Sequence, residues 1–310
     1  MTVGPRTVAI GGGTGCSTLL RGLRRHTHNL TAVVTVFDNG GSTGLLRQEL
    51  GCPGLGDLRR CLGVLSTPSA LWESTLEHRF PANKGVVGHT LGNLLLAGLW
   101  QQFGDLQKAT EQAANLLRLK GSVVPVSVDS AQLCARLQDG SVQVGEEAID
   151  ARHAGAVPIN EVFLDRDVSA NPVAVHAIRS AEVIVLGPGD LYTSVLPSLL
   201  VPGIPEAIRA SFARKVYVCN LVNKPGQLGG ANASLLIKAV LHYIGASANL
   251  DRVVINSGTL LNTAGAPPIQ FDSEGCAGLA EEVVRAPVAD VVGARHHPGR
   301  LAHAVLGVLG

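Results

Sequence analysis

Aromatic and charged residues are scarce in this chain. Of its 310 residues, 4% are aromatic and 16% charged, whereas 46% are hydrophobic. The net charge is +1, and the pairs Arg24-Arg25 and Arg59-Arg60 are too local to form a basic face, so no nucleic-acid partner is expected. No apolar run approaches the ~18 residues of a membrane-spanning helix, so no membrane span is expected. Leu94–Trp100 and Val195–Leu200 are apolar but short, and they read as buried helix segments. The six cysteines (16, 52, 61, 134, 219, 276) show no C-x-x-C spacing and read as small buried hydrophobes in a reducing compartment. The first apolar run is a short strand rather than the core of a signal peptide, and the expected location is cytoplasmic. So little charge suits a sheet buried on both faces and leaves room for a subunit interface, which makes a homodimer the expected state.

Val/Ile-rich runs without alternation recur at Val8–Ile10, Leu30–Phe37, Ser122–Val128, Glu182–Leu186, Lys215–Cys219 and Arg252–Ile255. Such runs are the mark of parallel strands covered by helices. Helical patterns lie between them, notably Gly92–Gln102, Leu106–Leu119, Ile204–Phe212 and Ala233–Ile244. The expected fold is α/β: a Rossmann-like, doubly wound, mostly parallel sheet with a small inserted β-containing excursion. Asp139-Gly140 signals a hairpin turn, so the excursion is placed at 139–165 within one domain spanning 1–310. No linker, repeat or low-complexity tract divides the chain.

Glycine is abundant where these strands end. Gly11-Gly12-Gly13-Thr14-Gly15 follows Thr7–Ile10 and opens a helix-like segment, Ser17–Arg24. A strand, a tight turn and a helix N-terminus together make a site for a phosphate. Two standard assignments fail. The G-x-G-x-x-G fingerprint breaks at Cys16, which speaks against a nicotinamide oxidoreductase, and no Lys near Gly15 supports a P-loop.

Four further clusters stand at strand ends or helix starts, where ligands of open α/β sheets bind. Asp38-Asn39-Gly40-Gly41-Ser42-Thr43-Gly44, with Arg47 behind it, offers an acidic residue and a second backbone nest. Asp57, in Gly56-Asp57-Leu58-Arg59, is either the N-cap of a helix Leu58–Leu65 or a ligand for Mg²⁺ beside phosphates. His89 and Asn93 are spaced to share one helix face. Gly187-Pro188-Gly189-Asp190, followed by Thr193 and Ser194, repeats the pattern of a strand meeting a glycine turn with hydroxyls, and Asn220 closes another strand.

Taken in order, Gly11–Gly15, Asp38–Gly44 with Leu46-Arg47, Gly56–Arg59, Arg79-Phe80, Gly88-His89 with Gly92-Asn93, Gly187–Ser194 and Cys219-Asn220 resemble the YvcK-type gluconeogenesis factors of the CofD-like superfamily. The resemblance spans nearly the whole chain. It implies a nucleotide diphosphate or nucleotide-sugar of the UDP-sugar kind as ligand, with Mg²⁺ at Asp38 and Asp57. It also implies a regulatory role in central carbon metabolism and cell shape. The superfamily's characterised enzyme, 2-phospho-L-lactate transferase, implies the alternative: Mg²⁺-dependent transfer from a guanosine diphosphate-linked donor to a deazaflavin alcohol. The chain departs from the pattern at Asn39, Arg60 and Asp190, where Asp, Asn and Ser are usual. It also lacks an Asp-His pair expected between Ala231 and Leu235.

Overall fold

Residues 4–81, 88–245 and 248–307 are described by a computed structural model. The chain opens with β1 (Thr7–Gly11), α1 (Gly13–Leu23) and β2 (Leu30–Val34). Five helices, α2 (Gly41–Leu50), α3 (Gly56–Leu65), α4 (Ser69–Glu77), α5 (Leu91–Phe103) and α6 (Leu106–Leu116), precede β3 (Ser122–Pro125). An excursion follows: β4 (Leu133–Leu137), β5 (Val142–Val144), α7 (Glu146–Asp150) and β6 (Ile159–Leu164). Then come α8 (Pro172–Ser180) and β7 (Val183–Leu186), a π-helical turn Leu191–Val195, α9 (Leu196–Leu199), α10 (Ile204–Ala210) and β8 (Arg214–Val218). The chain ends with α11 (Ala233–Ile244), β9 (Arg252–Asn256), α12 (Ser273–Cys276), β10 (Glu282–Ala286) and α13 (Pro298–Leu306).

Seven strands form one sheet in the order β10-β9-β8-β7-β1-β2-β3. Every adjacent pair is parallel. Ile10, Val33, Val185, Val216 and Val254 are each at most 1% exposed, as expected of strands covered on both faces. The chain winds one way from β1 to β3 and the other way from β7 to β10. The switch in direction therefore falls between β1 and β7, where a crevice opens at the carboxyl ends. A second, antiparallel sheet has the order β5-β4-β6. The Asp139-Gly140 turn does join two of its strands, with Asp139 Oδ1 accepting from Ser141 N (3.0 Å) and Oγ (2.6 Å). This sheet begins at Leu133, before the expected start at 139.

All six expected strands lie in the large sheet. The seventh, β10, was not expected. It is an edge strand whose Glu282 and Arg285 are exposed, so it lacks the apolar run that marks a central strand. The helix expected over Leu106–Leu119 ends at Leu116, because Arg118 takes a left-handed backbone (φ 50°). The six cysteines are free and buried. Among the described residues no single helix is long and apolar enough to cross a membrane.

Gly98, in the middle of α5, is exposed and a Cβ there would meet nothing within 4 Å. Gly98→Ala is expected to stabilise the fold by roughly 0.5–1 kcal/mol in chemical denaturation, because alanine restricts the unfolded chain and fits a helix.

Candidate functional site

At the switch point lies a cleft of about 660 Å³. Its floor is made by two glycine turns in backbone contact. A Cβ on Gly15 would overlap the Pro188 carbonyl oxygen, and one on Gly189 would come within 2.8 Å of Ser194 Cβ. Only glycine at 15 lets the two turns approach so closely, and only glycine at 189 lets the second turn fold back on its own Ser194. Gly13, Thr14, Gly15, Gly189, Asp190, Thr193 and Ser194 face the cleft, whereas Gly11, Gly12, Gly187 and Pro188 shape the turns from below it.

Two helices point their N-termini into this space. The N-cap of α1 is Gly12 and that of α2 is Gly40, and neither has a side-chain cap. The Gly13 N–H is already taken by Asp57. In α2 Gly41 N donates to Glu147 Oε1 at 3.5 Å and Thr43 N to Gly40 O at 3.0 Å. The N–H groups of Thr14, Gly15 and Ser42 and the positive dipole ends remain directed at whatever enters. Gly40, Gly41, Ser42 and Thr43 line the cleft beside them. Asp38 Oδ1 accepts from Gly40 N at 2.9 Å and shapes the turn into α2.

Around these positive ends stand carboxylates. Asp38, Asp57, Glu146, Glu147, Asp150 and Asp190 all line the cleft. Asp57 is 5% exposed. Burial first, and the Asp38 charge second, push it up to about 6, against the pull of Arg60, 2.7 Å away, and of the Gly13 N–H. It is not an N-cap. The helix α3 starts at Gly56, one residue earlier, so Asp57 lies inside the first turn with its side chain turned to Arg60 and α1. Glu146, on α7, is raised to about 8 by burial and then by Asp38, Asp150 and Asp57. Burial alone would lower Lys224, yet Asp190 (2.7 Å) and Asp150 raise it on balance, and its ammonium clasps both carboxylates. Among the described residues no three His, Cys, Asp or Glu side chains are arranged to hold a metal ion.

His89 and Asn93 do not share a helix face, because Thr90 is the N-cap of α5 and His89 stands outside the helix. Both nevertheless meet at Ser42, whose Oγ lies 3.2 Å from His89 Nδ1 and accepts from Asn93 Nδ2 at 3.0 Å. Only Asn93 reaches the cleft; its Oδ1 accepts from the buried Arg59. Arg47 is turned away. Its guanidinium donates to the carbonyls of Asp38 (3.2 Å) and Ala131 (2.7 Å), and it braces the Asp38 turn from behind.

The three departures from the family pattern each have a partner. Asn39 Oδ1 accepts from Glu147 N (2.8 Å), tying the Asp38 turn to α7. Arg60 pairs with Asp57, and Asp190 with Lys224. The residues that sequence reading missed are Glu146, Asp150, Lys224, Arg295 and His296. They come from the excursion and from loops far along the chain; Lys224 opens the Pro225-Gly226 turn, whose Pro-Gly pair was a signal that could have marked it.

Residues 7–289 match a family described as 2-phospho-L-lactate transferase CofD. The chain belongs to the CofD family. Its curated relatives within it include proteins named gluconeogenesis factor. That of Bacillus subtilis is 36% identical, covering 98% of this chain and 98% of the relative. That of Halalkalibacterium halodurans is 44% identical, covering 83% of this chain and 79% of the relative. The crystal structure of a UPF0052 family member from Bacillus halodurans has a TM-score of 0.91 at 38% identity, covering 98% of this chain and 99% of that chain. The fold described above is therefore shared with a protein solved experimentally.

Proposed function

We propose that the chain binds a nucleotide diphosphate or nucleotide-sugar in this cleft and acts as a regulatory protein of the gluconeogenesis-factor type, in central carbon metabolism and cell shape. One observation carries the reading. Two helix N-termini without side-chain caps, those of α1 and α2, open into one cleft at the topological switch point. Helix dipoles and free N–H groups suit phosphate oxygens. A phosphate cannot sit beside Asp38 and Asp57 without repulsion unless a cation lies between them. A buried carboxylate, Asp57, repelled by the half-buried Asp38 beside it, fits Mg²⁺, a hard cation that accepts carboxylate and phosphate oxygens together. Asp38 and Asp57 would hold it, and it would screen the charge of the diphosphate.

Thermal shift with UDP-, GDP- and ADP-linked diphosphates and UDP-sugars, with and without Mg²⁺, tests this. A ligand at a hundred times its Kd is expected to stabilise by about 2.7 kcal/mol. Mg²⁺ should enlarge the shift. No shift from any nucleotide in either condition would sink the reading.

The second reading, transfer, has one observation in its favour. A carboxyl raised to about 8, Glu146, is a stronger base than an ordinary carboxylate once ionised, and around pH 8 and above it is suited to take a proton from an attacking hydroxyl. Against it stands the acceptor side, where the wall is short of aromatic residues. Incubation with the guanosine diphosphate-linked phospholactate donor, Mg²⁺ and the deazaflavin alcohol is expected to release no GMP above background. Steady release with a phosphorylated deazaflavin product would replace regulation by transfer.

A further inference from the structure

The cleft is chemically uneven. The glycine turns and both helix ends lie on one side, the carboxylates of α7 on another. Apolar side chains are few: apart from Ala151 they are Leu221, Val222 and Ala294. Leu221 and Val222 continue from the carboxyl end of β8, while Ala294 lies in the segment before α13. The strand β8 pairs with β7, so this wall begins one strand spacing, about 4.8 Å, from the turn that carries Gly187–Ser194.

Unspent hydrogen-bonding capacity collects at the same place. Asn220 is 8% exposed, its Oδ1 is sealed from solvent, and its carboxamide has no hydrogen-bond partner among the described residues. His296, across the wall, has its Nε2 sealed without a partner, and its ring sits against the Cys219 carbonyl. By contrast Ser42, Thr43, Asn93, Asp57 and Asp190, on the phosphate side, all have partners. Buried polar groups are normally satisfied, so two unsatisfied ones flanking the same apolar wall call for a ligand. Burial holds the His296 imidazole at about 4, so near neutral pH it is uncharged; its one N–H is directed at the Cys219 carbonyl, which leaves Nε2 as a free acceptor. The segment bearing it is preformed: Ala289 and His296 pair as an antiparallel bridge, and His297 N donates to Val288 O at 2.8 Å.

We infer that the nucleoside of the ligand lies on the wall of Asn220–Val222 and Ala294–His296, with the Asn220 carboxamide and the His296 imidazole as its hydrogen-bonding readers. The inference rests on the nucleotide reading above. It adds that the site distinguishes a nucleoside diphosphate from a bare diphosphate. A flat base needs an apolar face and edge-on polar partners, and only this part of the cleft supplies both.

Calorimetry with inorganic pyrophosphate and with UDP, GDP, ADP and CDP, all in Mg²⁺, separates the two claims. Asn220→Ala is expected to weaken the preferred nucleoside diphosphate about tenfold or more and to leave pyrophosphate within about twofold, because only the base loses its partner. His296→Phe should do the same, and it provides the comparison should Asn220→Ala not fold. His296→Gln, which keeps a donor and an acceptor, should retain most of the affinity. Unchanged pyrophosphate binding reports an intact fold. Equal losses for both ligands, or none, would overturn the nucleoside wall. So would a wild type that binds pyrophosphate as tightly as every nucleoside diphosphate, although the phosphate site would stand. A wild type that binds neither class removes the nucleotide reading itself.

Discussion

Gly15→Val is expected to unfold at a markedly lower temperature and to lose nucleotide binding with it. A Cβ at this position would overlap the Pro188 carbonyl oxygen and lie 3.0 Å from Gly189 N. The obstacle is backbone, and both turns are pinned by strands at the centre of the sheet, so neither yields cheaply. Overpacking of this kind costs about 3 kcal/mol or more. For a chain of this size that is roughly 4–6 °C in the midpoint of unfolding. Separating the two turns also moves the N-terminus of α1 from the cleft. Gly12 presents a softer obstacle, since a Cβ there runs into the Asp57 carboxylate and the Thr35 methyl group. Scanning calorimetry with nucleotide titration checks the prediction. A Gly15→Val protein that melts and binds like the wild type would show that the turns are not in contact.

Asp57→Asn is expected to make the free protein more stable and less able to bind. In the folded state Asp57 keeps its proton up to about pH 6, against an ordinary carboxylate value of 3.8. Below both values the folded and unfolded states are protonated alike and the group costs nothing. As pH rises between them, the unfolded chain releases its proton first, so stability falls. Above pH 6 the cost is constant, on the order of 3 kcal/mol. Asparagine does not titrate. The stability of the variant relative to the wild type should therefore grow through pH 4–6 and then level off. Its partner Arg60 is partly exposed, so losing the pair costs little. Over the same change, Mg²⁺-dependent nucleotide affinity should fall about tenfold or more, because a charged ligand to the cation is gone. Denaturant midpoints from pH 4 to 8, paired with titrations with and without Mg²⁺, decide it. A variant that is less stable at pH 7.5, or that binds with undiminished Mg²⁺ dependence, contradicts the assignment of Asp57.

Most of the sheet was legible because parallel strands carry their own signal. Val8–Ile10, Ala32–Val34 and Val253–Ile255 are apolar on successive residues, as burial on both faces requires. The edge strand β10 escaped because an exposed edge keeps its charges. Among the site residues, the glycine turns were legible because their geometry is local. Roles that depend on distant neighbours were not. Arg47 follows a glycine nest in sequence and looked like a ligand-binding residue, yet it spends its guanidinium on the carbonyls of Asp38 and Ala131. Asp57 stood where an N-cap is common, yet α3 begins before it and its carboxylate serves α1 and Arg60.

By itself the sequence determined the α/β class, the central strands and the glycine turns that end β1 and β7. These follow from backbone conformation and from hydrophobic runs a few residues long. Only the tertiary structure decided that those two turns touch, that two uncapped helices share one cleft, and that Glu146, Asp150, Lys224, Asn220 and His296 meet there. Glu146 and Asp150 share α7 and Asn220 and Lys224 share the loop after β8, but these two pairs and His296 are separated from one another by long stretches of chain. Burial and mutual charge, which exist only once the chain is folded, set Asp57 at about 6, Glu146 at about 8 and His296 at about 4.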